Sequence, residues 1–395
     1  MNILMVLEKE FPPDERVEKE AYSLALAGNK VIIACYTFMD KPLTEDFDYF
    51  KVIRKPVSRL IYKSSIAILL IPFYFRFWEK YLDRIIKDEK IDILHVHDLP
   101  LSKTGYKLCK KYGLKLVCDQ HEYYSNWIIY TAHYNTLVGK IIKHLSNWKK
   151  YEKKYLKRAD LVITIEEPLR LAYIEKVKVN PDKIIIVPNT PLKRIFNTDN
   201  IKKEIQENYK NDYVLFYAGG IDILRGIDMV IDALPLIKEK IPNIKFVLAG
   251  KIQKGFNLSD YAKKRNVDEL VSLIGWIDTD DLPSYMLAGK VCVFTPPVNR
   301  DEINKTIVTK IYQYASVGRP ILVSRAQLMK EFVENNELGF SVSNCREFAD
   351  KVIYLHNNPL VYDKISNNCL RISKKYHWEL TSNQLIKFYK TKLGK

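Results

Sequence analysis

The chain has 395 residues, of which 47% are hydrophobic and 28% charged, and a net charge of +16. This is more than one hydrophobic core serves, so two domains of about 200 residues each are expected. The composition excludes a disordered or fibrous chain, and the basic excess leaves three classes of partner: nucleic acid, an anionic membrane or an anionic substrate.

Asn2–Leu7 predicts a buried strand, starting directly after Met1 with no leader-like segment between them. A loop with Pro12 and Pro13 follows, then a helix from about Arg16 to Ala27 ending at Gly28, then a strand over Val31–Tyr36. This β-loop-α-β start opens a doubly wound sheet, in which ligands meet the carboxyl ends of strands. The loop carrying Asp14 and Arg16 is therefore placed to meet a substrate. It lacks GxGxxG, so a nicotinamide dinucleotide site is not expected there.

Ser58–Lys90 is apolar, aromatic and basic, and predicts one or two helices. Core packing is the default reading, and a membrane-facing patch is the sharper one. The longest apolar run, Ile66–Phe75, is about half of a spanning helix and contains Pro72, so a soluble or peripheral protein is expected. Strands over Ile91–Val96 and Leu116–Asp119 end in His97-Asp98 and His121-Glu122. Polar residues at those ends suggest a histidine acting as base or hydrogen-bonding group at a site. A metal cluster of these four lacks a second His at helical spacing. Trp127 to Arg158 interleaves Lys with Trp, Tyr and His. That fits a membrane surface best, with a helix of solvated lysines as the alternative. No nucleic-acid-binding motif accompanies the charge, so nucleic acid is not expected as a partner. Strands over Asp160–Ile165 and Lys183–Val187 close the first domain near Pro188.

A second α/β pattern opens with a strand over Tyr213–Ala218, then Gly219-Gly220 and Arg225-Gly226 before a helix through Leu236. Paired glycines let backbone approach a ligand, and Arg225 can fork onto phosphate. Strands follow over Ile244–Ala249, Leu270–Ile274 and Val291–Phe294. Asp278-Thr279-Asp280 has the form of a metal-binding DxD, but Asp280 or Asp281 is expected to cap a helix beginning near Leu282. In Asn304–Ser324, Thr309 is expected to cap a helix stopped by Gly318 and Pro320, with a strand over Ile321–Val323. Lys310 and Gln313 lie three apart on one face, near a helix start with free N–H groups. The stretch reads either as a socket for a nucleotide diphosphate and ribose or as an ordinary crossover helix. Six cysteines without CxxC spacing predict reduced, mostly buried thiols in the cytoplasm.

Taken together, DERVEKEAYSLALAGNKV, IDILHVHD, CDQHE, ADLVIT, VPNTP, YAGG-x4-RG, FVLAG, LIGWI, KIYQYASVGRPIL and KYHWE stand in one order. In this the chain resembles the retaining, nucleotide-sugar-dependent glycosyltransferases of family 4, with the GT-B fold. The resemblance implies an α/β fold of two Rossmann-like domains facing a central cleft. The acceptor would lie on 1–190, the donor on 191–370, and a helix in 371–395 would cross back to the first domain. It implies a nucleotide-sugar donor, UDP- or GDP-linked, and a glycan or lipid-linked acceptor in polysaccharide or glycoconjugate synthesis. No metal or other cofactor is expected, and a peripheral contact with anionic membrane would run through 58–86 and 127–158.

By the same resemblance, His121 contacts the donor sugar near the reacting centre and Arg225 stabilises the leaving phosphate. Gly219, Gly220, Thr309 and Lys310 line the diphosphate, Gln313 holds the ribose, and Gly275 and Trp276 fall where backbone reads the base. Asp14, Arg16, His97, Asp98 and Glu122 lie on the acceptor side. The chain departs from the family at three places. Gln313 replaces the second Glu of E-x7-E, Lys305 stands at the first (with Glu302 as a substitute if the loop shifts), and Gly220 replaces a phosphate-binding Arg. These departures leave a second reading open, a catalytically weak or inactive GT-B subunit that binds a partner transferase or a glycan.

Overall fold

Two mainly parallel sheets organise the chain in the computed structural model, which describes residues 1–38, 41–128, 144–199 and 201–394. One unit comprises Met1–Pro188 and Thr381–Lys395, the other Asn189–Leu380. Continuous apolar runs, buried on both faces, form the central strands, as parallel sheets covered by helices require.

In the first unit the strands are β1 (Asn2–Val6), β2 (Lys30–Thr37), β3 (Thr44–Asp46), β4 (Lys51–Pro56), β5 (Ile93–His97), β6 (Lys115–Gln120), β7 (Leu161–Thr164) and β8 (Ile184–Ile186). Their order is β3-β4-β2-β1-β5-β6-β7-β8, parallel except for β3 against β4. The winding direction reverses between β1 and β5. Crevices at such reversals hold ligands, outside the carboxyl ends of the strands. β3 and β4 are not predicted from the sequence: KVIRKP buries only Val52 and Arg54 of its six residues, too weak an alternation to read.

The second sheet has β9 (Tyr213–Ala218), β10 (Ile244–Ala249), β11 (Val271–Gly275), β12 (Val291–Phe294), β13 (Ile321–Ser324) and β14 (Gly339–Val342). The order β11-β10-β9-β12-β13-β14 reverses between β9 and β12. The helix Trp378–Phe388 starts in the second unit and ends in the first, where a π-helical turn over Tyr389–Leu393 continues it.

Several local expectations are corrected. Val308, not Thr309, occupies the N-cap of helix Thr309–Ser316, and it makes no side-chain cap. Asp281 does sit at the N-cap of helix Leu282–Ala288, but its side chain caps nothing and pairs with Lys202 at 2.5 Å. The membrane reading of the aromatics does not hold for helix Leu145–Leu156. Its Trp148, Tyr151 and Tyr155 are buried, and its lysines form the opposite, solvated face. Residues 129–143 of that reading lie outside the described residues. In helix Phe73–Glu89 the aromatics Tyr74, Phe75, Trp78 and Tyr81 likewise belong to the core. No described helix is long and apolar enough to cross a membrane. All six cysteines are free, and five of them are buried.

Candidate active site

In the first unit a charged network is built under the carboxyl ends of β1, β5 and β6. Asp14 caps helix Glu15–Leu26 by accepting from the Val17 N–H at 3.1 Å and pairs with Lys9. Its carboxylate therefore starts the helix, and the helix aims Arg16 and Glu20 inward, one turn apart. The Arg16 guanidinium forks onto Asp119, with Nε and Nη2 each 3.2 Å from a carboxylate oxygen. Its Nη1 donates to the Val187 carbonyl at 2.9 Å, and Nη2 lies 2.9 Å from Glu20. Bidentate geometry of this kind is what a guanidinium offers a carboxylate. Arg16, expected on the acceptor side, is thus a buried structural cation, 5% exposed.

Asp119 also meets His121 Nε2 at 2.9 Å and His97 Nδ1 at 3.2 Å. His121 Nδ1 reaches Asp98 at 3.2 Å. Asp98 adopts φ +61, the left-handed region that Asp tolerates better than most residues, and its N–H donates to the Asp119 carbonyl. Behind them His95 and His97 stack with centroids 4.4 Å apart. His95 Nδ1 meets the Tyr389 hydroxyl at 2.7 Å, which ties the end of the chain to this network. The Glu122 backbone carbonyl accepts from the Tyr173 hydroxyl at 3.2 Å.

Charge states follow from these contacts. Burial pulls the His121 pKa down, but the Asp98 and Asp119 carboxylates on its two nitrogens overcome this and hold it well above the usual value. His121 therefore favours its protonated form, with a carboxylate on each ring nitrogen. Burial would raise Asp119, yet Arg16 and His121 hold it well below the carboxylate range. Burial and Asp119 push Glu20 up to about 8. Burial and His97 keep His95 neutral, well below 6.5. Glu20, His95, His97 and Asp119 present ligand atoms within 4.8 Å of one another. Arg16 already supplies the cation of Asp119 and reaches Glu20, so the quartet reads as a network built around one ion pair.

In the second unit three backbone turns meet at the ends of β9, β10 and β11. The Gly219 N–H donates to Ala249, and the Gly250 N–H to Gly275 at 2.6 Å. A Cβ on Gly250 would stand 2.0 Å from the Gly219 oxygen, and one on Gly226 1.8 Å from the Thr295 oxygen. Both positions therefore require glycine. Gly219, at φ +142, is bare so that Lys310 can lie against it: a Cβ there would be 2.9 Å from the ammonium nitrogen. Lys310 Nζ also stands 5.9 Å from the Tyr217 and Phe294 ring centroids. The Tyr217 hydroxyl donates to the Gly220 carbonyl at 2.8 Å, fixing the loop, and Gln253 flanks Gly220. Arg225 is exposed at the end of a 3₁₀ turn just before helix Ile227–Lys238. Gln313 is buried, 7% exposed, one turn into helix Thr309–Ser316. Trp276 is 80% exposed beside Gly275. At the E-x7-E positions, Lys305 pairs with Asp301 at 2.5 Å and Glu302 with Arg300 at 3.5 Å.

The expected residues thus fall into two sets. His97, Asp98 and His121 converge in the first unit, and Gly219, Gly220 and Lys310 in the second. Glu20, His95, Asp119, Tyr389, Tyr217 and Gln253 were not foreseen. Of these only HVH on β5 and the four-residue spacing of Arg16 and Glu20 leave any sequence signal.

Two such sheets, each with polar groups at its reversal point, define the class: a GT-B glycosyltransferase. The family described as "Glycosyltransferase Family 4" matches residues 17–190, and "Glycosyl transferases group 1" matches residues 198–371. The chain belongs to this glycosyltransferase family. It is 20% identical to an alpha-monoglucosyldiacylglycerol synthase of Acholeplasma laidlawii, over 86% of this chain and 83% of that one. Its fold matches a sucrose-phosphate synthase from Thermosynechococcus elongatus with a TM-score of 0.74 at 15% identity, covering 98% of each. It also matches Anabaena HepE in complex with UDP-glucose, TM-score 0.68 at 15% identity, over 99% of this chain and 100% of that one.

Proposed function

We propose that the protein transfers a sugar, with retention, from a UDP- or GDP-sugar to a glycan or lipid-linked acceptor, without a metal ion. It would work in the cytoplasm, at the face of a membrane. The observation that carries this reading is the cradle at the ends of β9 and β12, where Lys310 lies on the bare backbone of Gly219 and Arg225 opens the following helix. Departure of a nucleoside diphosphate develops negative charge, which fixed cations and helix N–H groups meet without a metal. His121, as an imidazolium, supplies positive charge at the donor sugar, and Asp98 is the partly exposed carboxylate beside it. Gln313 hydrogen-bonds the ribose as a neutral amide, which is weaker than the charge-assisted bond of Glu. Transfer assayed with a panel of UDP- and GDP-sugars should proceed with one of them. It should fall by roughly 10²-fold or more in Arg225→Ala. Full activity in that variant refutes the assignment.

A second reading, a weak or inactive subunit that binds a partner transferase or a glycan, is favoured by one observation. Lys305 stands where the first Glu of E-x7-E belongs and is committed to Asp301. Nucleotide binding without transfer to any acceptor would select it.

A further inference from the structure

From Val57 to Trp78 the chain carries no acidic residue and three cations, Arg59, Lys63 and Arg76. Helix Arg59–Ser64 buries none of its residues. Leu60 is 82% exposed, Leu70 57% and Phe73 55%, and Tyr62 and Ile71 are exposed with them. Immediately beyond, Tyr74, Phe75 and Trp78 are core residues, so the exposed cluster is the outer end of an element anchored inside. Phe38, just past the end of β2, packs on Tyr62 with centroids 5.3 Å apart. Tyr36, within β2, lies 5.8 Å from Tyr62. The cluster is therefore fastened to the carboxyl edge of the first sheet, the edge that also carries His97, Asp98 and His121.

Large apolar side chains grouped on a surface mark an interaction site. The carboxylate at the margin of this segment, Glu10, is engaged by the Phe38 N–H at 2.9 Å. Within the segment itself the apolar side chains alternate with positive charge alone, the pattern of a segment lying in a bilayer interface. There, apolar groups enter the acyl boundary and Lys and Arg stay at the phosphates. We infer that Arg59–Phe73 docks the first unit on a membrane bearing anionic lipids, presenting the carboxyl edge of its sheet to a lipid-linked acceptor. The acceptor half of this statement rests on the function proposed above. A second copy of the chain fits the surface poorly. A two-fold contact would set Arg59, Lys63 and Arg76 against themselves, with no carboxylate in the segment to offset them.

The test is sedimentation of the full chain with vesicles of phosphatidylglycerol in phosphatidylcholine, and with vesicles of phosphatidylcholine alone. The protein should partition onto the anionic vesicles roughly tenfold or more in excess of the neutral ones, with the excess shrinking in high salt. Leu60→Ser, Leu70→Ser and Phe73→Ser together should cut that binding by roughly tenfold or more while leaving the melting temperature unchanged. Arg59→Glu with Lys63→Glu should abolish the preference for anionic lipid. Absence of vesicle binding, equal binding by the triple variant, or a dimer that the triple variant abolishes would each overturn the inference. Transfer to a water-soluble acceptor, run alongside, separates the two claims. Transfer without vesicle binding removes the docking surface alone, and vesicle binding without transfer removes the proposed reaction alone.

Discussion

His121 owes its role to what holds it. An imidazole with a carboxylate at each nitrogen is fixed in orientation and in charge, and neither property can be read from the tripeptide Asp-Gln-His. The same holds for Arg16, whose position after Pro-Pro-Asp suggested contact with substrate. Burial instead makes it the counter-ion of Asp119, with Glu20 alongside. Arg16→Met would leave the buried Asp119 carboxylate without its cation, and it should destabilise the protein by about 3–5 kcal/mol in urea unfolding. A loss below about 1 kcal/mol would show the network to be dispensable.

Glu20 gives a pH prediction. Its pKa in the folded state is about 8 against 4.5 for the free side chain, so the folded protein favours the protonated form. Its contribution is fully present below 4.5 and is lost as pH rises towards 8, because the unfolded chain sheds this proton first. Glu20→Gln never ionises. Melting temperatures of Glu20→Gln and the parent protein should therefore diverge in favour of the variant between pH 4.5 and 8. A constant difference across that range would contradict the assignment.

At the scale of elements, β9, β10 and β12 were legible to the residue because their apolar runs are buried on both faces. β3, β4 and β14 were not, because short or half-exposed strands carry little pattern. Helix Thr309–Ser316 was foreseen, but its cap was misassigned. Thr309 has the right chemistry for a cap, yet the chain turns one residue earlier, at Val308.

Turn chemistry separates two kinds of glycine. Gly28 and Gly226 both have positive φ, but a Cβ on Gly28 meets nothing within 4 Å, whereas one on Gly226 strikes the Thr295 carbonyl. Gly28→Ala should cost only the left-handed backbone penalty, about 1 kcal/mol. Gly226→Ala should cost about 3 kcal/mol or more in urea unfolding, since backbone must move. Equal costs would show that the approach of Thr295 constrains nothing.

For the whole molecule, the sequence announced two α/β units and the ordered motifs of the family, because those depend on local pattern. It did not announce how residues 16, 20, 95, 97, 119, 121 and 389 assemble. That requires the strand order β1-β5-β6 and the return of the chain end, both long-range facts. Tyr389 is the clearest case: 294 residues separate it from His95, and nothing in YKTKL signals a polar contact. Tyr389→Phe removes only the hydroxyl and should cost about 1–2 kcal/mol in unfolding. An unchanged stability would show that the tie at the chain end is incidental.

The central claim is that the Gly219–Lys310 cradle receives a nucleoside diphosphate. Calorimetric titration of UDP and GDP into the full chain tests it most directly. The account predicts one site per chain for one of these nucleotides, weakened by roughly tenfold or more in Lys310→Ala. Absence of binding by both nucleotides, or equal affinity in that variant, would contradict it.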